Sequence, residues 1–223
     1  MKKRVVVIDY GRGNLLSLTR ALAHVGAEAE IASDPEALAS AEFAVLPGVG
    51  AFGDGMDALR GRGWIDPIRS FCASGRPFLG ICLGMQLLLQ ESSEFGRHEG
   101  LGIVPGTVTR FPDPVPGGAR YKIPHTGWNR LIASSPRASW KGTVLEGMTP
   151  ESYVYFVHSF VAEPVNPRHR LADAEYAGRT FCAAVADGNV VGFQFHPEKS
   201  GETGLSMLRN WLDATADIAE TRS

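Results

Sequence analysis

A single cysteine flanked by glycines marks the position in the chain best suited to nucleophilic chemistry. The segment FLGICLGMQLLLQ (78–90) places Cys82 between Gly80 and Gly84, where an apolar run passes into a helical pattern. Small residues two positions before and after a nucleophile permit the sharp strand-to-helix turn of a nucleophile elbow. The first N–H groups of the helix would favour a thiolate, and the Leu83 N–H would face an oxyanion on the attacked carbonyl. The alternative is a small apolar residue in a tight corner, since cysteine is often buried.

A histidine and a glutamate two residues apart form a second candidate pair. His196 ends the apolar strand VVGFQF, within FQFHPEKS, and Glu198 follows after Pro197. In extended backbone, residues i and i+2 project to the same side, and the proline stiffens the pair. The pattern predicts a histidine base oriented by a carboxylate, as cysteine and serine acyl transfer require. Alone, the pair is better explained as a strand-end histidine beside a surface carboxylate; together with Cys82, the catalytic interpretation is favoured.

A glycine-rich loop lies between these motifs and the N-terminus. PGVGAFG (47–53) follows the strand FAVL and has the G-x-G-x-x-G spacing of a dinucleotide-binding fingerprint. The loop is not in the first βαβ unit, however, and no acidic residue waits about twenty residues further on for a ribose hydroxyl. The favoured alternative is that the backbone N–H groups of Val49 and Gly50 contribute to an oxyanion hole.

The composition indicates one domain with no nucleic-acid or membrane partner. The chain has 223 residues, 44% of them hydrophobic, and a formal net charge of -2, which suffice for one core and include no basic run. We expect a single domain over residues 1–217 and a frayed tail over 218–223. The basic start MKKRVVVIDYGRGN has too short an apolar run for a signal peptide or a membrane span, which predicts a cytoplasmic protein.

The cysteines argue against a disulfide framework. Cys72, Cys82 and Cys182 are odd in number and lack C-x-x-C spacing, so neither a disulfide set nor a zinc site is expected. Cys72 and Cys182 lie in apolar patterns and are assigned to packing. No metal or other cofactor is expected.

The order of predicted elements indicates an α/β fold. In the first hundred residues, β-rich runs such as RVVVID, FAVLPG and PFLGI alternate with amphipathic stretches, as in βαβ units. From Gly102 onward strand-like runs such as YVYFVHSFVA (153–162) follow one another, with a hairpin turn at 187–189. We predict a single three-layer domain with a mixed, largely parallel central sheet flanked by helices, plus antiparallel strands in the C-terminal half.

Two further segments complete the prediction of structure. FPDPVPGGARYKIPHTGWN (111–129) contains Pro112, Pro114, Pro116 and Pro124, which predicts a long surface excursion. The segment TGLSMLRNWLDATADIA (203–219) predicts a final helix.

Taken together, the motifs resemble those of a known family. PGVGAFG, GICLGMQLL and FQFHPEKS, in this order, resemble the class I glutamine amidotransferases, α/β domains that hydrolyse the side-chain amide of glutamine. The resemblance covers nearly the whole chain. Within that family, IDYGRGNLLSL, PHTGWN, YFVHSF and the loop at 48–50 resemble the glutaminase subunits of imidazole glycerol phosphate synthase, an enzyme of histidine biosynthesis.

The resemblance implies a role for each motif residue. Cys82 would attack the amide and form a glutamyl thioester, and His196, oriented by Glu198, would protonate the leaving ammonia and then activate water. Leu83 and either Val49 or Gly50 would hold the oxyanion. The residues implied to bind glutamine are Gln86, Glu94 and the backbone of His158, Ser159 and Phe160.

The resemblance also implies a protein partner. Ammonia would pass to a (β/α)8 cyclase subunit of a heterodimer, which makes imidazole glycerol phosphate and an aminoimidazole carboxamide ribotide. The motif positions expected near that interface are Tyr10, Asn14, Pro124, His125, Trp128, Asn129 and Tyr155. Arg12 and Thr126 stand where the family more often has Met, and Phe160 where Tyr is frequent, departures that leave Cys82, His196 and Glu198 untouched.

Three other functions remain open from the sequence. The chain could supply ammonia to a different synthase, such as that for anthranilate or pyridoxal phosphate. It could be a stand-alone cysteine hydrolase of γ-glutamyl compounds, which would be fully active without a partner. It could also be a non-catalytic module that keeps the fold, in which case Cys82 would be dispensable.

Overall fold

Strands and helices alternate in the first half of the chain, and strands dominate the second half. The computed structural model describes residues 2–111, 121–134, 139–149 and 151–213. Its helices are α1 (Leu15–His24), α2 (Ala37–Ser40), α3 (Phe52–Gly61), α4 (Ile65–Ala73), α5 (Leu83–Leu87) and α6 (Gly201–Asp213). Its strands are β1 (Arg4–Ile8), β2 (Glu28–Ala32), β3 (Phe43–Leu46), β4 (Phe78–Ile81), β5 (Leu89–Ser92), β6 (His98–Glu99), β7 (Val104–Arg110), β8 (His125–Arg130), β9 (Ile132–Ala133), β10 (Tyr153–His158), β11 (Phe160–Pro164), β12 (Arg170–Tyr176), β13 (Arg179–Asp187) and β14 (Val190–Phe193).

Five parallel strands form the centre of the main sheet, in the order β2-β1-β3-β4-β14. Every residue of β3, β4 and β14 is buried, because helices cover both faces of the sheet at these strands. The predicted α/β fold with a largely parallel central sheet is confirmed. In the described part of the chain, no helix is long and apolar enough to cross a membrane.

Antiparallel strands extend this sheet beyond β14. The order continues β13-β11-β7-β5-β6, with β12 attached to β13 and β9 attached to β12; among the described strands of this extension, β5 and β7 run parallel and the other pairs antiparallel. The hairpin predicted at 187–189 joins β13 to β14, with Asp187 paired to Val190 and Gly188 at φ 56°. The C-terminal half therefore contains antiparallel strands, as expected, although β14 pairs parallel with β4.

The two faces of the sheet carry separate hydrophobic clusters. Alternate residues of β1 point to opposite faces: Val5 packs in one cluster with Leu22 of α1 and Trp211 of α6. Val6 packs in the other cluster with Phe71 of α4. Helices on both sides of one sheet give the three layers that the sequence predicts.

Two predicted segments are organised differently in the structure. The run 153–162 is not one strand, because it breaks at Ser159 into β10 and β11, which belong to different sheets. The predicted excursion at 111–129 is wrong at its end: residues 125–130 follow its last proline and form strand β8, which pairs with β10. Pro112, Pro114, Pro116 and residues 214–223, with the end of the predicted final helix and the tail, lie outside the described residues.

Strands β8 and β10 form a two-stranded antiparallel ribbon, called the β8–β10 ribbon below. Opposite residues share a face, so Trp128 lies beside Tyr155 on one face, and His125 lies beside His158 on the other. Trp128 is exposed, whereas both histidines are buried. The ribbon thus presents an aromatic outer face and a buried inner face.

The turn between β4 and α5 depends on glycine for space. A Cβ at Gly84 would overlap the carbonyl oxygen of Leu46, and one at Gly80 would lie 2.7 Å from the Gly84 carbonyl oxygen. Both obstacles are backbone atoms, which cannot turn aside as a flexible side chain can. The glycines around Cys82 are therefore a packing requirement of the elbow.

We expect Gly84→Ala to lower the free energy of unfolding by about 3 kcal/mol or more, because the new methyl group displaces β3 or α5. Gly61→Ala is the matched control: Gly61 lies in α3 with nothing within 4 Å of an added Cβ. It should be neutral or stabilising by up to about 1 kcal/mol. Urea unfolding of both variants decides this, and equal stabilities would contradict the packing argument.

Candidate active site

Cys82 occupies a strained turn at the carboxyl end of β4. Its backbone has φ 55° and ψ -111°, a region that residues other than glycine rarely adopt and that costs about 1–3 kcal/mol. The Cys82 N–H donates to the Phe193 carbonyl oxygen at 2.7 Å, and its own carbonyl accepts from the Gln86 N–H at 3.2 Å. Helix α5 is only five residues long, so its electrostatic effect on Cys82 is confined to the first N–H groups.

His196 and Glu198 form a buried hydrogen-bonded pair. His196 Nδ1 lies 2.8 Å from Glu198 Oε1, and each side chain is 4% exposed. Glu198 lies in the 3₁₀ turn Pro197–Lys199, which directs the carboxylate back to the imidazole. His196 Nε2 is buried, and among the described residues it has no well-aligned hydrogen-bond partner. This atom is therefore free to exchange a proton with a reacting group.

Strand β10 fixes the backbone of His196. The His196 N–H donates to the Tyr155 carbonyl oxygen at 2.9 Å. Ser200 closes the connection, since its hydroxyl donates to the His196 carbonyl oxygen at 2.6 Å and accepts from the Tyr155 N–H at 3.0 Å. Ser200 was not predicted from the sequence, although a small hydroxyl residue four positions after the histidine is visible in FQFHPEKS.

The surroundings of His196 favour its charged form. Burial by itself lowers the pKa of His196, but the nearby Cys82 sulfur and then the Glu198 carboxylate outweigh it, and the pKa is raised to about 9. Because the pKa lies above neutral pH, the imidazole is protonated at rest. The His196 imidazole therefore carries a proton next to the cysteine.

The Cys82 sulfur is surrounded by polar groups from two further strands. Sγ lies 3.8 Å from the Val157 carbonyl oxygen of β10 and 3.9 Å from Gln194 Nε2. Gln194 is fully buried between Phe193 and Phe195, and it was not among the residues predicted from the sequence. An amide within the otherwise apolar run VVGFQF was the signal, because a buried amide requires a polar partner.

Gln86 points into this buried polar region. Its side chain is buried, and Nε2 donates to the Phe160 carbonyl oxygen at 3.2 Å and to Gln194 Oε1 at 2.9 Å. Gln86 is therefore not a solvated position on the helix surface. The bend at Ser159 brings the Phe160 carbonyl to this position.

The Glu94 side chain is buried next to the first residue of helix α3. Its Oε2 accepts from the Phe52 N–H at 2.6 Å, so the carboxylate caps the helix that follows the glycine-rich loop. One carboxylate oxygen is thus committed to holding that loop and helix. The sequence does not reveal this role, because the contact spans 42 residues.

The glycine-rich loop lies beside the histidine–glutamate pair. Val49, Gly48, His196 and Glu198 border a small cavity of about 10 Å³, together with Asn14, Leu18, Pro47 and Ile81. Val49 is exposed, and Gly50 has φ 111°. This placement favours the oxyanion interpretation over dinucleotide binding, because the loop adjoins the acid–base pair.

Tyr10 and His125 are exceptions among the residues predicted at a partner interface. Tyr10 is 1% exposed, with its hydroxyl pressed against Gly48, and burial and then the charge of Cys82 raise its pKa. His125 is 3% exposed on the inner face of the ribbon. Side chains this deeply buried offer no area to a partner, so neither can contribute a direct surface contact, and their predicted position near the interface stays a prediction.

The other five predicted interface residues reach the surface. Asn14, Pro124 and Trp128 are exposed, while Asn129 and Tyr155 are half-buried. Asn129 Nδ2 also donates to the Glu175 carbonyl oxygen at 2.7 Å, which fastens the ribbon to β12.

The remaining cysteines are inert. Cys72 and Cys182 are buried in the apolar core, and burial raises the pKa of each thiol to about 12. Within the described residues, no group of three or more His, Cys, Asp or Glu side chains could hold a metal ion.

Comparison with known proteins places these features in one family. Residues 6–214 match the family model described as glutamine amidotransferase class-I. The chain is 51% identical over 208 residues to imidazole glycerol phosphate synthase subunit HisH 1 of Legionella pneumophila (strain Lens), covering 93% of this chain and 98% of the relative. It is 49% identical over 210 residues to subunit HisH of Syntrophotalea carbinolica, covering 94% and 99%.

The fold is shared with more distant solved structures. The structure of PurLQS from Thermotoga maritima aligns with a TM-score of 0.70 at 21% identity, covering 96% of this chain and 99% of that chain. At this identity the similarity shows the fold alone.

We expect an imidazole NMR titration of His196 to have its midpoint near pH 9. In Cys82→Ala the midpoint should fall, because burial still lowers the pKa while the sulfur no longer raises it. A group with a raised pKa stabilises the fold below about pH 6.5, and this stabilisation is lost as the pH rises through about 9. A midpoint at the ordinary histidine value, unchanged in Cys82→Ala, would contradict the conclusion that His196 is protonated at neutral pH.

Proposed function

The chain belongs to the class I glutamine amidotransferases, as a HisH glutaminase subunit of imidazole glycerol phosphate synthase, and we propose that Cys82, His196 and Glu198 are its catalytic residues. The observation that carries the proposal is the strained elbow at Cys82 beside the buried pair His196–Glu198, with 2.8 Å between Nδ1 and Oε1. These parts supply a nucleophile, a proton carrier and its orienting carboxylate.

The first half of the proposed reaction makes a thioester. Cys82 Sγ, as the thiolate, attacks the side-chain amide carbon of glutamine, and the carbonyl π electrons move to the oxygen. As the tetrahedral intermediate collapses, the C–N bond breaks and His196 Nε2 gives its proton to the nitrogen, so that ammonia leaves. The raised pKa of His196, about 9, supports this order, because the proton is in place at neutral pH.

The second half of the reaction releases glutamate. The neutral His196 takes a proton from water, the hydroxide attacks the thioester carbon, and the C–S bond breaks to return the Cys82 thiolate. Glutamine and water thus give glutamate and ammonia. Glu198 accepts the Nδ1–H of His196 throughout, which keeps Nε2 directed at the reacting atoms.

We assign the surrounding residues to substrate binding on their placement. The N–H groups of Leu83 and of Val49 or Gly50 stabilise the oxyanion, and the loop's position beside His196 supports this. Gln86, Glu94 and the backbone of residues 158–160 hold the amino-acid end of glutamine. The buried contact between Gln86 and the Phe160 carbonyl supports a common pocket.

A (β/α)8 cyclase subunit is the proposed partner and the acceptor of ammonia. The outer face of the β8–β10 ribbon carries Trp128, 56% exposed, and Tyr155, with ring centroids 6.0 Å apart. Exposed aromatic side chains are effective anchors in protein interfaces. The backbone of β10, the strand that carries Tyr155, contacts His196 and Cys82. A partner on this face would therefore sit beside the source of ammonia.

We also propose that the chain forms a single domain and that it is a cytoplasmic protein. One continuous main sheet between two hydrophobic clusters supports a single domain over residues 1–217. The unpaired state of all three cysteines supports a cytoplasmic location, where thiols stay reduced.

We expect the chain to release glutamate slowly from glutamine when alone, and much faster with the cyclase subunit and its ribonucleotide ligand. Trp128→Ala should reduce this stimulation at least tenfold without lowering the activity of the isolated chain, because it removes an anchor and no catalytic group. Val165→Ala is the control, since Val165 is 73% exposed but lies outside the ribbon.

The outcomes separate the competing functions. High activity without the partner, unchanged on its addition, would identify a free-standing hydrolase. Stimulation by another synthase and not by the cyclase would assign a different partner. Equal effects of Trp128→Ala and Val165→Ala would exclude the ribbon as the docking surface.

We expect Cys82→Ala and His196→Ala to abolish glutamate release, and Glu198→Gln to retain at least tenfold more activity than either. Glu198 orients the imidazole, whereas the other two residues exchange bonds or protons with the substrate. Steady-state rates of the three variants in complex with the cyclase test this ranking. Equal losses in all three would show that Glu198 has more than an orienting role.

A further inference from the structure

A buried pair of histidines connects the β8–β10 ribbon to the proposed glutamine pocket. His125 Nδ1 of β8 lies 3.0 Å from His158 Nε2 of β10, and His158 Nδ1 lies 2.9 Å from the Phe160 carbonyl oxygen. Both side chains are buried. The reaction described above uses neither imidazole.

The hydrogen-bond partners determine the form of both rings. A carbonyl oxygen only accepts, so His158 Nδ1 carries a hydrogen. Burial lowers the pKa of His158 to about 3 and that of His125 to about 4, so both rings are neutral at physiological pH. His158 Nε2 is therefore an acceptor, and His125 Nδ1 must be its donor. The two N–H groups point the same way, from the ribbon towards the Phe160 carbonyl, and each strengthens the other.

The far end of this chain of hydrogen bonds reaches the nucleophile. The Phe160 carbonyl also accepts from Gln86 Nε2 at 3.2 Å, and Gln86 Nε2 donates to Gln194 Oε1 at 2.9 Å. Gln194 Nε2 lies 3.9 Å from Cys82 Sγ. One buried polar network thus runs from strand β8 to the elbow.

The other end of this network is the His125 ring, which is held by stacking. The His125 ring stacks between Tyr176 and Phe156, at centroid distances of 4.0 and 5.0 Å. Trp128, three residues further along β8, lies on the opposite, exposed face. The ring of His125 is therefore fixed between the ribbon, which carries the proposed docking surface, and strand β12.

We propose that His125 is a positioning residue for the glutamine site, whose Nδ1–H holds His158 in the form that anchors the Phe160 carbonyl and, through it, Gln86. This inference rests on the proposed function, since Gln86 and Phe160 are assigned to glutamine binding there. It gives an internal role to His125, which the resemblance places near the partner interface.

The test compares two substitutions at one position in the complex with the cyclase. His125→Phe keeps the stacked ring and removes the donor, and we expect the KM for glutamine to rise about tenfold with kcat within about threefold. His125→Asn places an amide N–H near the position of Nδ1 and should restore KM to within about threefold of wild type. His24→Phe, at an exposed position at the end of α1, is the control and should change neither.

A second measurement needs no activity. The ¹⁵N resonance of His158 Nε2 should lie where a hydrogen-bonded acceptor is found in the wild type and in His125→Asn, and shift to that of an unbonded nitrogen in His125→Phe. The same resonance in all three proteins, or an unchanged KM in His125→Phe, would overturn the proposal. A wild-type complex that releases no glutamate would refute the proposed function, while the resonance would still decide whether His125 holds His158.

Discussion

The parallel pairing of β4 with β14 is the constraint on which the active site depends. Phe193 of β14 lies beside Ile81 of β4, and its carbonyl accepts the Cys82 N–H at 2.7 Å. Parallel neighbours end at the same edge of a sheet, so Cys82 after β4 and His196 after β14 lie close together there. The glycines of the elbow and the turn at Pro197 refine a proximity that the pairing already imposes.

Strand β10 connects the same edge to a second structural unit. Its backbone accepts from His196, approaches the Cys82 sulfur through Val157, and ends at the bend that presents the Phe160 carbonyl to Gln86. Because the backbone makes these contacts, the side chains of its outer face remain available for another protein. A partner bound to the ribbon would thus act on the strand that contacts both His196 and Cys82, by a shift in geometry rather than by supplying a catalytic group.

Buried histidines in this protein have opposite charge states because their partners differ. Burial lowers the pKa of His196, His158 and His125 alike. His196 has the Cys82 sulfur and a carboxylate nearby, which outweigh desolvation, whereas the other two form hydrogen bonds only with neutral groups, and the charge of His196 further lowers the pKa of His158. His196, the proposed proton carrier, has its pKa raised, whereas His125 and His158, proposed to hold the pocket, have lowered pKa values and a fixed direction of hydrogen-bond donation.

The sequence by itself determined the features that depend on neighbours along the chain: the elbow at Gly80-Ile81-Cys82-Leu83-Gly84, the closeness of His196 to Glu198, and the alternation that predicts a parallel sheet. These follow from local sterics and periodicity. The backbone that joins His196 to Glu198 is a 3₁₀ turn, however, and not the extended chain that the sequence predicts. Tertiary structure alone decided that 153–162 breaks at Ser159, that Gln86, Tyr10 and His125 are buried, and that Gln194 and Ser200 take part in the site. Each of these depends on hydrogen bonds or packing with residues distant in sequence, such as the contact between Gln86 and Gln194 across 108 positions, and no local pattern encodes such a partner.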